Sequence, residues 1–268
     1  MRGYMEHAAV ALTVQGNVAV LTLTAGEKFN ALDVETGRGL LEALRSVGER
    51  EDIRAVVITG AGKAFSAGGD VKGMLKSIED GVPDAFMDTL TKSLYAIALL
   101  LREMPKPVIA AVNGVAVGAG MNLALSCDFI IAAEGAQFSQ GFIKLALIPG
   151  FGGTHLLIHH LPWQKATEIA MLGEMISAQE MKDLGFVNRV VSGEKLGEAA
   201  MEFARRLAEG PTLSFARTKR LFLDALNLSF EEHLVRERKV QVESTLTRDY
   251  EIGVRAMVDH SAPKFTGQ

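Results

Sequence analysis

The chain has 268 residues, 48% of them hydrophobic and 22% charged, which suits one globular domain with at most a small appendage and excludes a disordered tail or a fibre. Its 28 basic and 32 acidic residues are mixed along the length for a formal net charge of −4, so no basic patch points to nucleic acid or an anionic membrane surface. A single cysteine, Cys127, allows neither an internal disulfide nor a thiolate zinc cluster, and a reducing cytoplasm is the expected setting.

The opening MRGYMEHAAV lacks a basic segment followed by an apolar core, and runs such as YAIALLL at 95–101 fall far short of the ~18 residues of a membrane span. Neither a targeting signal nor a membrane segment is expected. From Val10 to Thr24 apolar and polar residues alternate around Gln15-Gly16-Asn17, predicting a β-hairpin. Asp33 is placed to cap a helix carrying Leu40, Leu41, Leu44 and Val47 at helical spacing. The nearly continuous apolar runs Arg54–Thr59, Pro107–Val112 and Asp128–Ala133 read as strands covered on both faces. Strand, glycine-rich turn and helix recur, which predicts right-handed crossovers on a parallel sheet and an α/β fold for the first two-thirds. After about residue 190 only helices are expected. Leu196, Ala200, Phe203 and Leu207 share one face, Gly210 and Pro211 stop that helix, and Ser229 with Glu232 forms a capping box for another. The division is drawn as a core over 1–195 and a helical region over 196–268.

Several motifs fail on inspection. GAGKAF at 60–65 has Val57 and Ala64 where a phosphate loop requires glycine and Ser or Thr. No G-x-G-x-x-G opens the first βα unit, and no G-x-S-x-G surrounds Ser66 or Ser139. His159 and His160 diverge by about 100° on a helix; His155 and His159 have metal-pair spacing but no flanking carboxylate, so no metal is expected.

The glycines cluster where chemistry is plausible. AFSAGGD (64–70) follows one strand and NGVAVGAGMNLALSCD (113–128) the next. Gly118 and Gly120 flank Ala119 at a predicted helix start, where backbone N–H groups lack partners and lie at the positive end of the dipole. A turn at Gly68-Gly69 frees another amide. Two amides converging on one oxygen make an oxyanion hole suited to a thioester enolate; tight turns with glycine for packing alone are the competing reading.

EKFNALD (27–33), ITGAGKAFSAGGDVKGM (58–74), KPVIAAVNGVAVGAG (106–120), CDFIIAAEGAQFSQ (127–140), IPGFGGT (148–154), ISAQEMKDLGFVNRVV (176–191) and PKFTG (263–267) together resemble the crotonase, or enoyl-CoA hydratase/isomerase, superfamily. The resemblance implies a ClpP/crotonase-type core of repeated ββα units, a C-terminal helical trimerisation region, a trimer or dimer of trimers, and an acyl-CoA thioester as ligand, with no permanently bound cofactor. It places the oxyanion hole at the N–H groups of Gly69 and Ala119. It lines the CoA channel with Lys28, Ala31, Ala67, Asp70 and Val71, and sends Lys264 and Phe265 toward the adenine or phosphates, often of a neighbouring subunit.

The same resemblance implies acid and base carboxylates at three positions, and this chain has Asn122, Phe142 and Gly150 there. Hydration needs a group to deprotonate water and another to protonate Cα, each contributing about 10²- to 10⁴-fold. Asn122 can orient a water but cannot take its proton, and Phe142 makes its wall apolar. Local motifs are closest to the phenylacetate-pathway isomerases. A base from the flap between Lys72 and Leu90 (Glu79, Asp80, Asp84 or Asp88), or from His155 or Lys144, is the alternative source. The expected function is enolate-stabilised double-bond isomerisation or hydration of an acyl-CoA; the alternatives are a non-catalytic acyl-CoA binder and a thioester hydrolase.

Overall fold

The computed structural model describes residues 5–7 and 9–268, so part of the opening segment lies outside the described residues. The strands β1 (Met5–His7), β2 (Val10–Gln15) and β3 (Val18–Leu23) pair antiparallel in sequence. Gly16 turns the β2–β3 hairpin at φ +60°, the left-handed backbone that glycine adopts without steric cost. Asp33 caps α1 (Val34–Glu49) by accepting from the Thr36 amide at 2.7 Å, as the sequence predicts.

The chain then repeats one unit. A longer strand enters a large sheet, a three-residue strand enters a smaller one, and helix follows. The first unit is β4 (Ala55–Gly60), β5 (Ala64–Ser66), α2 (Val71–Glu79) and α3 (Pro83–Glu103). The second is β6 (Val108–Val112), β7 (Val115–Val117) and α4 (Ala119–Leu125). The third is β8 (Phe129–Ala133), β9 (Gln137–Ser139) and, after a 3-10 turn at Gly141–Leu145, α5 (Gly153–His160). The remainder is α6 (Trp163–Leu172), β10 (Ile176–Ser177), α7 (Ala178–Asp183), β11 (Arg189–Val191), α8 (Leu196–Ala208), α9 (Thr212–Ala225), α10 (Phe230–Ser244) and α11 (Arg248–Val258).

The large sheet runs β1-β2-β3-β4-β6-β8-β11 and is parallel from β3 onward; the small one runs β10-β9-β7-β5. Every residue of β6 is buried, as are four of the five in β8, because helices cover both faces of a parallel sheet. Each fully buried Val, Ile or Leu contributes roughly 1.5–3 kcal/mol. The three predicted strands each start one residue later than expected, since Arg54, Pro107 and Asp128 stand just outside them. The small sheet was not legible because three-residue strands carry no readable alternation.

The helix α8 lies against β3, β4, β6 and β8 with Ala200 and Ala204 in the core cluster. It therefore covers the sheet, although the division at residue 195 groups it with the tail. Few residues of α9, α10 and α11 are buried, while Phe222, Phe230, Val235, Leu246 and Met257 are strongly exposed. Arg54 fastens this region: it donates to Thr212 Oγ1 at 3.0 Å and to the carbonyls of Gly210 and Phe265. The buried Asp249 holds the last residues by accepting from the Thr266 and Gly267 amides at 2.6 and 2.8 Å. Among the described residues no helix is long and apolar enough to cross a membrane.

Candidate active site

Two backbone turns form one wall of the site, and their proximity follows from missing side chains. A Cβ on Gly120 would lie 2.3 Å from the Ser66 carbonyl oxygen, and one on Gly68, at φ +87°, 2.4 Å from that of Val117. Any side chain at either place forces α4 away from the turn after β5. The position of Gly68 that a Cβ would occupy is 3.3 Å from the Ala119 nitrogen, so the two glycine clusters singled out in the sequence meet. Gly118 at φ +54° turns the chain into α4 and donates to the Ser139 carbonyl, leaving Ala119 as the first helical residue. Neither the Gly69 nor the Ala119 N–H donates a hydrogen bond within the described residues, and both residues border one cavity of about 330 Å³.

The turn bearing Gly69 is braced by the 28–32 segment. Ala67 N–H donates to the Phe29 carbonyl at 2.9 Å, Leu32 N–H to that of Gly68 at 2.7 Å, and Ser66 Oγ to that of Asn30 at 2.8 Å. These bonds hold the segment that carries Lys28 and Ala31 against the turn of Ala67 and Gly68. Ala67 and Val71 line the cavity. Asp70 uses its carboxylate to cap α2 through the Lys72 amide. Lys264 and Phe265 are not among the cavity residues; Phe265 packs on Gly253 of α11 and its carbonyl is held by Arg54.

The opposite wall is built from side chains. It includes Met74 of α2, Met87, Leu90, Leu94 and Tyr95 of α3, and Phe142, Leu145, Gly150 and Phe151. The Asn122 amide is bonded within the protein. It is fully buried, donates to the Gly150 carbonyl at 2.7 Å and accepts from Gln140 Nε2 at 2.6 Å. Its amide ties α4 to the Gly150 turn, and Gly153 has no side chain because a Cβ there would sit 2.2 Å from Asn122 Nδ2. Phe142 faces the cavity and Gly118. Gly150 opens into it as well: a Cβ there would lie 3.2 Å from the Tyr95 hydroxyl and 3.6 Å from the Phe142 ring.

Among the described residues no Asp or Glu lines this cavity. The flap is a helix–turn–helix, α2 into α3, and its carboxylates point elsewhere: Glu79, Asp80, Asp84 and Asp88 are exposed, with Asp80 paired to Lys76 and Asp88 to Lys92. The expected flap base is therefore not delivered to the cavity. His155 belongs to a different, larger cavity of about 680 Å³ between α9 and the sheet, where its ring lies 4.1 Å from that of His159. Burial, and then the neighbouring His159, holds His155 below the ordinary histidine range. Lys219 meets Asp128 at 2.8 Å in that cavity; burial raises the carboxyl of Asp128 and lowers the ammonium of Lys219 from their ordinary values. Burial also raises the Cys127 thiol, so it is no nucleophile. Among the described residues no group of three or more His, Cys, Asp or Glu side chains is placed to hold a metal. Of the suggested rescuers only Lys144 reaches the 330 Å³ cavity.

Tyr95 escaped the sequence reading. It opens the run YAIALLL, whose apolar character hid it, yet Met87, Thr91, Leu94 and Tyr95 recur on α3 at the three- and four-residue spacing that marks one face.

A repeated ββα core in which two free amides share an apolar cavity defines a class of fold built to present backbone donors to a ligand. Comparison with known proteins narrows that class. The enoyl-CoA hydratase/isomerase family profile matches residues 13–268, and the chain belongs to that family and to the crotonase superfamily that contains it. It is 36% identical to the 1,2-epoxyphenylacetyl-CoA isomerase of Escherichia coli (strain K12), covering 95% of this chain and 97% of that one. It is 29% identical to a trans-2-decenoyl-[acyl-carrier-protein] isomerase of Streptococcus mutans, over 98% of this chain and all of that one. The crystal structure of an enoyl-CoA hydratase from Polaromonas sp. JS666 superposes with a TM-score of 0.92 at 34% identity, covering 96% of this chain and 100% of that one.

Proposed function

We propose that this protein is an acyl-CoA isomerase that stabilises a thioester enolate with the N–H groups of Gly69 and Ala119. One observation carries the reading: among the described residues, the Gly69 and Ala119 amides donate to no partner and border one cavity that no carboxylate lines. When a proton passes from carbon of the acyl group to a water beside it, to be returned at another carbon, negative charge collects on the thioester carbonyl oxygen, and preorganised donors stabilise that charge far more than bulk water does. Losing one such donor costs about 2.7–4 kcal/mol of barrier in enzymes that rely on them. Relatives are named both for isomerisation and for enoyl-CoA hydration, so the choice of a double-bond or ring shift rests on the chemistry of the cavity wall. Hydration needs both a base for the attacking water and an acid for Cα, neither of which Asn122, Phe142 or Gly150 supplies, whereas an isomerisation needs one carrier to move a single proton between two carbons.

In the same reading Lys28, Ala31, Ala67, Asp70 and Val71 guide the CoA moiety along the braced turn. Lys264 and Phe265 meet it from a neighbouring copy, and the exposed apolar residues of α9, α10 and α11 form the contact within a trimer or dimer of trimers. A second reading, acyl-CoA binding without turnover, draws on the same lack of carboxylates.

Incubating the protein in D2O with 2-enoyl-, 3-enoyl- and arylacetyl-CoA esters, followed by mass spectrometry, separates these. Deuterium at Cα with a shifted double bond is the expected result. Tight binding with no exchange supports the binder, and release of free CoA the hydrolase. Hydration of crotonyl-CoA at about 10 s⁻¹ or faster, an ordinary enzyme rate, contradicts the proposal.

A further inference from the structure

The polar side chains in the cavity wall reduce to a short account. Ser139 Oγ donates to the Gly173 carbonyl at 2.8 Å and Thr91 Oγ1 to that of Met87 at 2.7 Å, so both are satisfied within the protein. Lys144 is exposed on the 3-10 turn and keeps its ammonium hydrated. That leaves Tyr95, 47% exposed and standing between this cavity and a second, more polar one, whose hydroxyl has no hydrogen-bond partner within the described residues and lies 3.2 Å from where a Gly150 side chain would begin. Around that point stand Phe142, Phe151, Met87 and Leu94, none of which accepts a hydrogen bond of ordinary strength.

We infer that the Tyr95 hydroxyl is a specificity-determining donor that selects acyl groups carrying an acceptor oxygen, an inference resting on the acyl-CoA reading above. An acyl group filling this cavity displaces the water that serves Tyr95. A purely hydrocarbon group seated against the hydroxyl offers it no acceptor on the cavity side, whereas an oxygen placed beside Gly150 restores the bond. Sites built to hydrogen-bond a ligand discriminate against the analogue lacking that group because their own polar atom is stranded. Gly150 makes the arrangement possible: with no side chain there, the space in front of the hydroxyl belongs to the ligand.

The test compares calorimetric affinities of the full-length protein and Tyr95→Phe for butyryl-CoA, 3-hydroxybutyryl-CoA, 4-hydroxybutyryl-CoA and succinyl-CoA, with Lys144→Met as a further variant. At least one oxygenated ester is expected to bind the wild type about 3- to 10-fold more tightly than butyryl-CoA, the worth of a neutral hydrogen bond. In Tyr95→Phe that advantage vanishes while butyryl-CoA binds within twofold of wild type, and Lys144→Met keeps the advantage. An advantage that survives in Tyr95→Phe, or that depends on Lys144 alone, overturns the inference, as does the lack of any preference among esters that all bind. Failure of every ester to bind instead overturns the acyl-CoA reading, and the inference with it.

Discussion

The two walls of the cavity are specified in different ways. The wall of Gly69 and Ala119 is backbone, and its shape depends on what Gly68 and Gly120 lack: a Cβ at either would sit within 2.4 Å of a carbonyl oxygen. The wall of Phe142 and Tyr95 is side chain, with Gly150 leaving a gap between them, and is drawn from a 3-10 turn, a loop and the long helix α3. The first wall tolerates almost no substitution, because any added atom moves a helix. The second accepts many shapes, so it is where reaction and substrate are set. An anion-stabilising scaffold can thus stay fixed while its proton chemistry changes.

That contrast is most sharply broken at Gly120. Gly120→Val drives a branched side chain into the Ser66 carbonyl and separates the turns; we expect about 3 kcal/mol of destabilisation, read in urea unfolding, with loss of acyl-CoA binding in whatever protein remains folded. Asn122 does not line the cavity but ties α4, which carries Ala119, to the Gly150 turn of the other wall, although the resemblance implies a catalytic group at its position. Asn122→Ala leaves Gln140 and the Gly150 carbonyl without partners and is expected to cost about 1–3 kcal/mol for the stranded groups, with its effect on exchange arising through a displaced Gly150 turn. A gain of hydratase activity in Asn122→Glu contradicts this account of Asn122.

On the variable wall, Gly150→Asp directs a carboxylate at the Tyr95 hydroxyl and into the cavity. We expect deuterium exchange at Cα of a bound acyl-CoA to rise about 10-fold or more, within the range of general-base catalysis, and preference for oxygenated acyl groups to fall because the carboxylate occupies the Tyr95 donor. The smallest effect concerns neither wall. Glu232 and Glu180 accept hydrogen bonds from the Ser229 and Ser177 side chains and backbone, which hold their carboxyls below the ordinary glutamate range. A depressed folded value adds stability above the unfolded pKa of about 4.3 and loses it as pH falls through the folded value. The margin in melting temperature of wild type over Glu232→Ala is therefore slight at pH 7 and shrinks further by pH 3.

What the sequence made legible divides along the same line. Asp33, the Gly16 hairpin, the buried parallel strands and the Ser229–Glu232 box were readable because each is a local pattern with one physical meaning. So was the meeting of the Gly68 and Gly120 turns, since two glycine clusters after successive parallel strands fall at one edge of a sheet. The role of Asn122 was not: a buried amide that ties two loops and one that holds a water look identical until Gln140 and Gly150 are placed beside it. The flap carboxylates misled for a related reason, because sequence put them near the site while the helical phase of α3 turned Met87, Leu94 and Tyr95 inward and Asp84 and Asp88 outward. Tyr95 was invisible because its partner is the space that Gly150 leaves empty.

A crystal structure with a non-reactive acyl-CoA analogue bound tests the central claim most directly. The account predicts the thioester carbonyl oxygen about 2.7–3.1 Å from both the Gly69 and the Ala119 nitrogen, with the acyl group against Phe142 and Tyr95. A carbonyl oxygen that meets neither nitrogen, or an acyl group seated in the cavity of His155, contradicts it.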